Sequence, residues 1–168
     1  LIYYIMDITN IDSLYVPSTL SMVEMITPED ISNVYKDNTN IEGYLSNKIK
    51  SKICNKCNHQ GFINDDISII NRSIGKLNST HFNGAIYYNI MLKIHVCVPL
   101  IGSLIKCKII GKNDAGVLCE IKPLKIMLCS NLDDLEELEI GSDILVEILN
   151  YKIVINDDNI KVLGRLKK

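Results

Sequence analysis

The chain has 168 residues, nearly half of them apolar, which is enough to bury the core of one domain or of two small ones. Disorder is therefore excluded as a description of the whole chain. The formal net charge is −2, and the residues after Pro99 carry ten basic and eleven acidic side chains. Neither part of the chain is a polycation, so nucleic-acid binding by bulk charge is excluded and any such contact depends on a local basic patch.

Residue usage indicates an intracellular protein. No run of about 18 apolar residues is present, and the opening LIYYIMD has neither a basic flank nor a cleavage pattern, so we expect no membrane span and no signal peptide. Six cysteines in such a chain indicate reduced thiols rather than a disulfide framework. Four of them lie singly in predicted strands, where a free cysteine is typically a small buried hydrophobe: Cys97, Cys107, Cys119 and Cys129.

Two helices are predicted in the first half of the chain. Thr27 can cap the first, with Pro28 in its first turn and Asp30 placed to complement the helix dipole. Its expected buried side consists of Ile31, Val34 and Tyr35. The second helix begins behind Asn40, and its core face follows the helical spacing of three and four residues: Ile41, Tyr44, Leu45, Lys48 and Ile49.

Strands precede and follow these helices. An apolar run over residues 2–6 is typical of a strand, and short strands are predicted at 62–63 and 67–70. The longest strand signal runs from Ile86 to Val98, where an apolar residue occupies every second position up to Pro99. Helices combined with strands in this order predict an α+β domain over residues 1–98.

Residues 99–168 predict a small β-barrel. Apolar and polar residues alternate from residue 104, and turn residues at 113–116 lead into a second strand over 117–121. A third strand covers 126–129, and two more follow the acidic segment at 133–139. Five strands with a break after the third suit a five-stranded barrel of the oligonucleotide-binding (OB) type.

One string has the spacing of a metal site. Cys54 and Cys57 place two thiols three residues apart, as in tetrahedral zinc sites, and His59 follows closely. A closed site needs four ligands, and only His59, His81 or His95 could complete it. We therefore favour a cysteine pair in a strand and turn over zinc, and we expect no cofactor.

The sequence offers no catalytic motif. It contains no Gly-rich phosphate loop, no Gly-x-Ser-x-Gly elbow and no His-Glu-x-x-His string. The carboxylates at 133–139 are more typical of a solvated segment than of a magnesium site, because nothing fixes an octahedral shell. We expect a protein that is not an enzyme.

Several fragments resemble one protein family in their order and spacing. They are ICNKCNHQGFI at 53–63, IGKL at 74–77, GAIYYNI at 84–90, PLIG at 99–102 and GKNDAGVLCEI at 111–121. Together they are similar to the larger stalk subunit of archaeal and eukaryotic DNA-directed RNA polymerases. The resemblance covers residues 42–168 well and the first forty loosely. The bias toward Ile, Asn and Lys and the short form resemble versions carried by large DNA viruses.

The resemblance implies a non-catalytic subunit that takes part in transcription. A truncated RNP-like domain would dock on the polymerase core near the clamp, and an S1-type barrel would face nascent RNA or initiation factors. A smaller stalk subunit normally accompanies it. The expected location is the nucleus, or a viral cytoplasmic factory and the virion.

Docking on the polymerase is expected at apolar and glycine positions in turns of the first domain. The residues concerned are Gly61, Phe62, Ile63, Gly75 and Phe82. The apolar side chains in these turns are Phe62, Ile63, Ile74, Leu77 and Phe82. They either fold back into a small core, which is the commoner case, or form a wedge for a large partner. The resemblance favours the wedge for Phe62 and for the loop at Gly75.

RNA contact is expected to be weak. S1 barrels that grip single-stranded RNA place aromatic or His side chains at three positions, which here match Ala115, Leu118 and Leu128. Without stacking, binding would be salt-sensitive and independent of sequence, and it would depend on Lys106, Lys108, Lys112, Lys125 and Arg165. The alternative for these lysines is a solvated barrel face. The alternatives for the protein are a free-standing S1-type RNA-binding protein and a small zinc-stabilised adaptor.

Overall fold

A computed structural model of the chain describes residues 9–37, 40–77, 83–113, 116–128 and 138–167. The helices in this part of the chain are a 3-10 helix at Ile11–Leu14, α1 at Pro28–Lys36 and α2 at Ile41–Ile53. The strands are β1 Tyr15–Ile26, β2 Lys56–Cys57, β3 Phe62–Ile63, β4 Ser68–Arg72, β5 Lys76–Leu77, β6 Ile86–Cys97, β7 Leu104–Asn113, β8 Gly116–Ile121, β9 Leu124–Leu128, β10 Asp143–Lys152 and β11 Ile160–Leu166. The predicted α+β class is confirmed. None of these helices is long and apolar enough to cross a membrane.

The chain forms two compact units that alternate along the sequence. The barrel unit comprises Leu1–Val16, Asn55–Ile63 and Val96–Lys168, and the helical unit comprises Pro17–Cys54 and Asn64–His95. The division into domains at 1–98 and 99–168 stays a prediction.

Both predicted helices are present in the helical unit, and each begins at the predicted cap. The Asp30 backbone N–H donates to Thr27 Oγ1 at 3.2 Å, while the Thr27 N–H donates to the Asp30 carboxylate at 3.0 Å. Asn40 caps α2 through its side-chain oxygen. Val34 is buried, but Tyr35 is 79% exposed, so its predicted place on the buried side is wrong. Successive helical residues point about 100° apart, and only Val34 of this pair points inward.

A sheet around β6 forms the rest of the helical unit. Its alternate residues Ile90, Leu92 and Ile94 are at most 2% exposed, as the predicted alternation requires. β1, β4 and β5 all pair with β6. The sequence does not predict β1, because Pro17 interrupts the extended pattern and the carboxylate of Glu24 occupies a buried position. The predicted strand at 2–6 lies outside the described residues.

Glu24 is only 2% exposed, and two lysines of α2 neutralise it. Lys52 Nζ lies 2.6 and 2.8 Å from the two Glu24 carboxylate oxygens, and Lys48 Nζ lies 3.7 Å from one of them. Lys48 also donates to the Asp30 carboxylate at 2.7 Å, as the Tyr44 hydroxyl does at 2.5 Å. These charge-assisted hydrogen bonds join β1, α1 and α2, and they satisfy a carboxylate whose burial alone would be costly.

The hydrogen bonds to Asp30 determine its ionisation. Burial acts to raise its pKa, but hydrogen bonds from Lys48, Tyr44 and Thr27 outweigh burial and hold the pKa of Asp30 well below its usual range. The hydrogen bond to Asp30, together with burial, raises the pKa of Tyr44 to about 12. Near neutral pH, Asp30 is therefore ionised and Tyr44 is neutral.

We expect Asp30→Asn to lower the free energy of unfolding by about 2 kcal/mol near neutral pH, because an amide cannot form the charge-assisted bond to Lys48. The folded pKa of Asp30 lies below its unfolded value. Its contribution is therefore complete above a pH of about 4 and is lost as the pH falls through the folded pKa. Urea unfolding at pH 7, 5 and 2.5 measures the free energy of unfolding of both proteins. The difference between wild type and variant should become smaller only at pH 2.5. Glu29→Gln, in the same helical turn, is the control, and a gap that is equal at all three pH values would contradict the assignment.

Five strands of the barrel unit close into an OB-like β-barrel, as the sequence predicts. Their order around the barrel is β7, β8, β9, β11 and β10, and β10 pairs with β7 to close it. β9 and β11 are parallel, and the other neighbours are antiparallel. Because side chains alternate along every strand, each strand contributes one set to the interior and another to the outer face.

Apolar side chains and cysteines fill the barrel unit. Ile105, Ile126 and Ile148 are fully buried, and Cys97, Cys107 and Cys119 are at most 2% exposed. The prediction that these cysteines are small buried hydrophobes is confirmed, and Cys129 lies outside the described residues. Burial raises the pKa of Cys97 to about 12, which keeps its thiol neutral.

The β2–β3 hairpin buries Phe62, for which the resemblance favours an exposed wedge, and its neighbour Ile63. β3 pairs Phe62 with Cys97 and Ile63 with Val96. Phe62 is 7% exposed and Ile63 is 1% exposed, so the expectation of an exposed wedge at Phe62 is wrong, and both side chains fold back into a core, the alternative that the sequence leaves open. Gly61 has φ +148°, and a Cβ there would lie 2.4 Å from the Cys97 carbonyl oxygen, so the close approach of the strands requires glycine.

Candidate nucleic-acid interface

Three lysines lie side by side on the outer face of the barrel. Lys152 of β10 is the cross-strand partner of Lys161 of β11, which is in turn the partner of Lys125 of β9. Neighbouring strands are about 4.8 Å apart, so this lysine row spans roughly 10 Å. Like charges directly opposite each other destabilise a sheet. An anionic ligand would relieve that repulsion.

The carboxylates near the lysine row neutralise it incompletely. Lys161 Nζ lies 2.9 Å from Asp157 Oδ2, in a solvent-exposed pair. No ion pair between described residues involves Lys125 or Lys152. Glu120 of β8 is the cross-strand partner of Lys125 and ends the row on that side. Within the described part of the chain, two of the three ammonium groups therefore have no carboxylate partner.

An apolar row runs beside the lysine row, two residues further along the strands. Leu118 of β8 pairs with Met127 of β9, and Met127 pairs with Leu163 of β11. Met127 is 47% exposed and Leu163 is 43% exposed. Single exposed apolar residues are common on protein surfaces, but adjacent exposed ones such as Met127 and Leu163, with the half-buried Leu118 beside them, are typical of a contact surface.

The two rows line one groove of about 550 Å³. Both rows contribute lining residues, and Tyr151 lines the groove while also packing against the barrel core. Such a groove suits a ligand that combines flat apolar groups with regularly spaced negative charges. Single-stranded nucleic acid has this chemistry. OB barrels bind oligonucleotides on the face of their second and third strands, here β8 and β9, and these two strands contribute Leu118, Lys125 and Met127 to the groove.

No family model and no curated protein matches the chain. What this face binds is therefore inferred from its own residues, and the resemblance to a polymerase stalk subunit stays a prediction.

Among the basic residues predicted to contact RNA, Lys125 is the one that lines the groove. Arg165 Nη2 lies 2.9 Å from Glu147 Oε2, and its hydrogen bond holds the pKa of that carboxyl below its ordinary value. Lys106 Nζ lies 3.1 Å from Asp143 Oδ2. Both cations already have carboxylate partners.

The remaining two predicted lysines lie on β7. Lys108 has Glu120 and Asp143 as cross-strand partners, and Lys112 Nζ donates to the Leu138 carbonyl oxygen at 3.4 Å. Neither lysine lines the groove. Contact of these residues with RNA stays a prediction.

The structure changes which residues of β8 and β9 can match the stacking positions of S1 barrels. Leu118 lies on the outer face, but Leu128 is 3% exposed and points into the barrel, so its match to a stacking position is wrong. Its neighbour Met127 takes that place, because side chains alternate along β9. Ala115 lies outside the described residues. The adjacency of Lys152 and Lys161 to Lys125 is absent from any local sequence pattern, since it comes from the pairing of distant strands.

The predicted docking residues fall in both units. Gly61, Phe62 and Ile63 are buried in the barrel unit, Gly75 is half-buried in the helical unit, and Phe82 lies outside the described residues. The apolar side chains exposed around Gly75 are Ile74, at 86%, and Leu77, at 70%. A docking role for the predicted set stays a prediction. Among the described residues around Gly75, the exposed apolar surface belongs to Ile74 and Leu77.

The cysteine string does not form a metal site with the residues described. Among them, no group of three or more His, Cys, Asp or Glu side chains is placed to hold a metal ion. Burial raises the pKa of the Cys54 and Cys57 thiols, which disfavours the thiolate form that binds zinc. Among the described residues, His59 therefore has no cluster of metal ligands to complete. His81 lies outside the described residues.

Proposed function

We propose that the protein is a non-catalytic subunit of a DNA-directed RNA polymerase and that its barrel contacts single-stranded RNA. The observation that carries the RNA part is the lysine row beside the apolar row on one face of an OB-like barrel. Phosphates would lie along the lysine row and unpaired bases against Leu118, Met127 and Leu163. Such binding is strongly salt-dependent and has little sequence preference on the groove itself.

The polymerase part of the proposal is supported by the order of the resembling fragments and by the OB-like barrel that follows them. In this proposal the first half is a truncated RNP-like domain that binds core subunits, and a smaller stalk subunit joins it. A nearly neutral chain suits an accessory role, because such a protein would hold RNA only while anchored to a larger assembly.

Anchoring is expected to depend on the exposed apolar side chains next to Gly75. We expect the double variant Ile74→Asp and Leu77→Asp to lower the recovery of polymerase core subunits with a tagged chain at least tenfold, because buried carboxylates at an interface lose their hydration. Both side chains are exposed, so the helical unit should remain folded. Co-purification from native cells, with core subunits quantified by mass spectrometry, measures the effect.

Tyr35→Asp is the matched control, because Tyr35 is a similarly exposed apolar residue in the same unit. It should leave recovery unchanged. Equal recovery with the Ile74/Leu77 variant and with wild type would reject this docking surface. Recovery of no core subunits by the wild-type chain would reject the polymerase assignment.

The alternative is a free-standing RNA-binding protein. All residues that line the groove come from the barrel unit. This observation favours the alternative, because the groove contains no residue of the helical unit. Submicromolar affinity of the isolated chain for RNA at physiological salt, together with no retained polymerase subunits, would support this alternative over the proposal.

A further inference from the structure

A second cavity, of about 420 Å³, lies at the end of the barrel where β8 turns into β9. The turn residues Lys122 and Pro123 form one wall, and Asp158 and Asn159 of the β10–β11 loop form another. Phe62, Asn55 and Glu120 complete the lining. We call it the turn cavity. Its volume is within the range of sites that hold small ligands or single ligand groups.

Backbone hydrogen bonds hold the walls of the turn cavity together. The Ile160 N–H donates to the Pro123 carbonyl oxygen at 2.9 Å and ties the loop to the turn. Cys57 also holds this loop. Its backbone N–H donates to the Asp157 carbonyl oxygen at 2.8 Å, and its carbonyl oxygen accepts from the Asn156 backbone N–H at 2.9 Å. The cavity is therefore preformed, and a ligand would not have to order it.

The charges of the turn cavity differ from those of the groove. The lining contains two carboxylates, those of Glu120 and Asp158, and one ammonium group, that of Lys122. This excess of negative charge repels a phosphate. Carboxylates and amides instead suit a neutral group with hydrogen-bond donors, and Asn159 provides such an amide. Phe62, nearly buried, adds an apolar surface to this polar rim.

The turn cavity directly continues the lysine row. Glu120 lines the cavity and is the cross-strand partner of Lys125. Asn159 lies two residues before Lys161, a distance of roughly 7 Å along an extended chain. A strand whose phosphates lie on the lysine row can therefore place a neighbouring base at the cavity.

We propose that the turn cavity accepts one unpaired nucleobase that carries an exocyclic amino group, in an RNA strand held by the lysine row. This proposal rests on the proposed RNA-binding function. Glu120 and Asp158 accept hydrogen bonds from the amino group, in the way that Glu and Asp accept from the amino group of cytosine. Uracil has no amino group and offers only its single N3–H donor to the two carboxylates. The turn cavity therefore adds a preference for certain bases to the lysine row, which by itself recognises only the charge of the phosphates.

The test compares an oligouridine octamer with the same octamer carrying one central cytidine, titrated against the full chain by fluorescence anisotropy. We expect the cytidine to strengthen binding about fivefold or more, in line with the discrimination of a good base contact. The double variant Glu120→Ala and Asp158→Ala should bind both oligomers equally. Asn159→Ala, which changes no charge, should reduce the preference at least twofold.

Asp143→Ala combined with Glu42→Ala is the matched control, because it removes the same charge from residues that do not line the turn cavity. This control should keep the cytidine preference. Equal binding of both oligomers by the wild-type chain would overturn the base site and leave the RNA-binding proposal intact. A preference that persists in the Glu120/Asp158 variant would also overturn the base site. No binding of either oligomer would overturn the RNA-binding proposal and the base site with it.

Discussion

Replacing Lys125, Lys152 and Lys161 together by alanine is expected to weaken the binding of single-stranded RNA about a hundredfold at 0.1 M salt. Each lysine that neutralises one phosphate of a single strand contributes about 0.7 to the slope of log K against log salt, so three contribute about 2. Over the decade from 0.1 to 1 M salt, that slope amounts to about two orders of magnitude. Anisotropy titrations of an oligouridine at several salt concentrations measure both the affinity and the slope.

The control for this variant removes three exposed lysines of the helical unit, Lys36, Lys50 and Lys93. It changes the net charge of the chain by the same amount as the lysine-row variant, but it should leave the slope of log K against log salt almost unchanged. A similar loss of RNA affinity in both triple variants would mean that binding depends on the overall charge of the chain. That result would remove the lysine row as the RNA contact.

Gly164→Val should lower the free energy of unfolding of the barrel by about 3 kcal/mol or more, a large effect of overpacking. A Cβ on Gly164 would lie 2.3 Å from Val146 Cγ1 and 2.8 Å from Ile126 Cγ2. Both neighbours are fully buried and cannot move into solvent. The expected fall in Tm is roughly 10 °C for a chain of this size. Thermal unfolding followed by circular dichroism measures it.

Gly111→Val is the matched control, since a Cβ on Gly111 would meet nothing within 4 Å. The same substitution there should change Tm by a few degrees at most, in line with other surface substitutions. Equal losses at Gly164 and Gly111 would contradict the close approach of β11 to β9 and β10. The comparison matters for function because β11 carries Lys161 and Leu163, which complete the lysine row and the apolar row.

Local patterns in the sequence predict much of the fold. The alternation along β6 and the capping residues Thr27 and Asn40 act through neighbours in the chain, so the sequence displays them directly. β1 is missed because Glu24 breaks its apolar alternation. That carboxylate is buried only because Lys52, 28 residues further along, reaches it. A tertiary contact of this kind has no local signature.

The lysine row could not be predicted for a related reason. Lys125 and Lys161 become neighbours through the parallel pairing of β9 with β11, which are not consecutive strands. Lys152 joins them only because β10 contains a register shift between Ile148 and Asn150, which places Lys152 opposite Lys161. Phe62 shows the same limit. The sequence around it is turn-like, which suggests exposure, but the pairing of β3 with β6 buries its side chain.

Lysine footprinting of the full chain, with and without saturating single-stranded RNA, tests the central claim most directly. Acetylation of each lysine, read by mass spectrometry, should fall at Lys125, Lys152 and Lys161 when RNA is bound. Lys36, Lys50 and Lys93 should react as before. Protection confined to Lys106, Lys108 and Lys112, or spread evenly over all lysines, would contradict binding on the groove of the barrel.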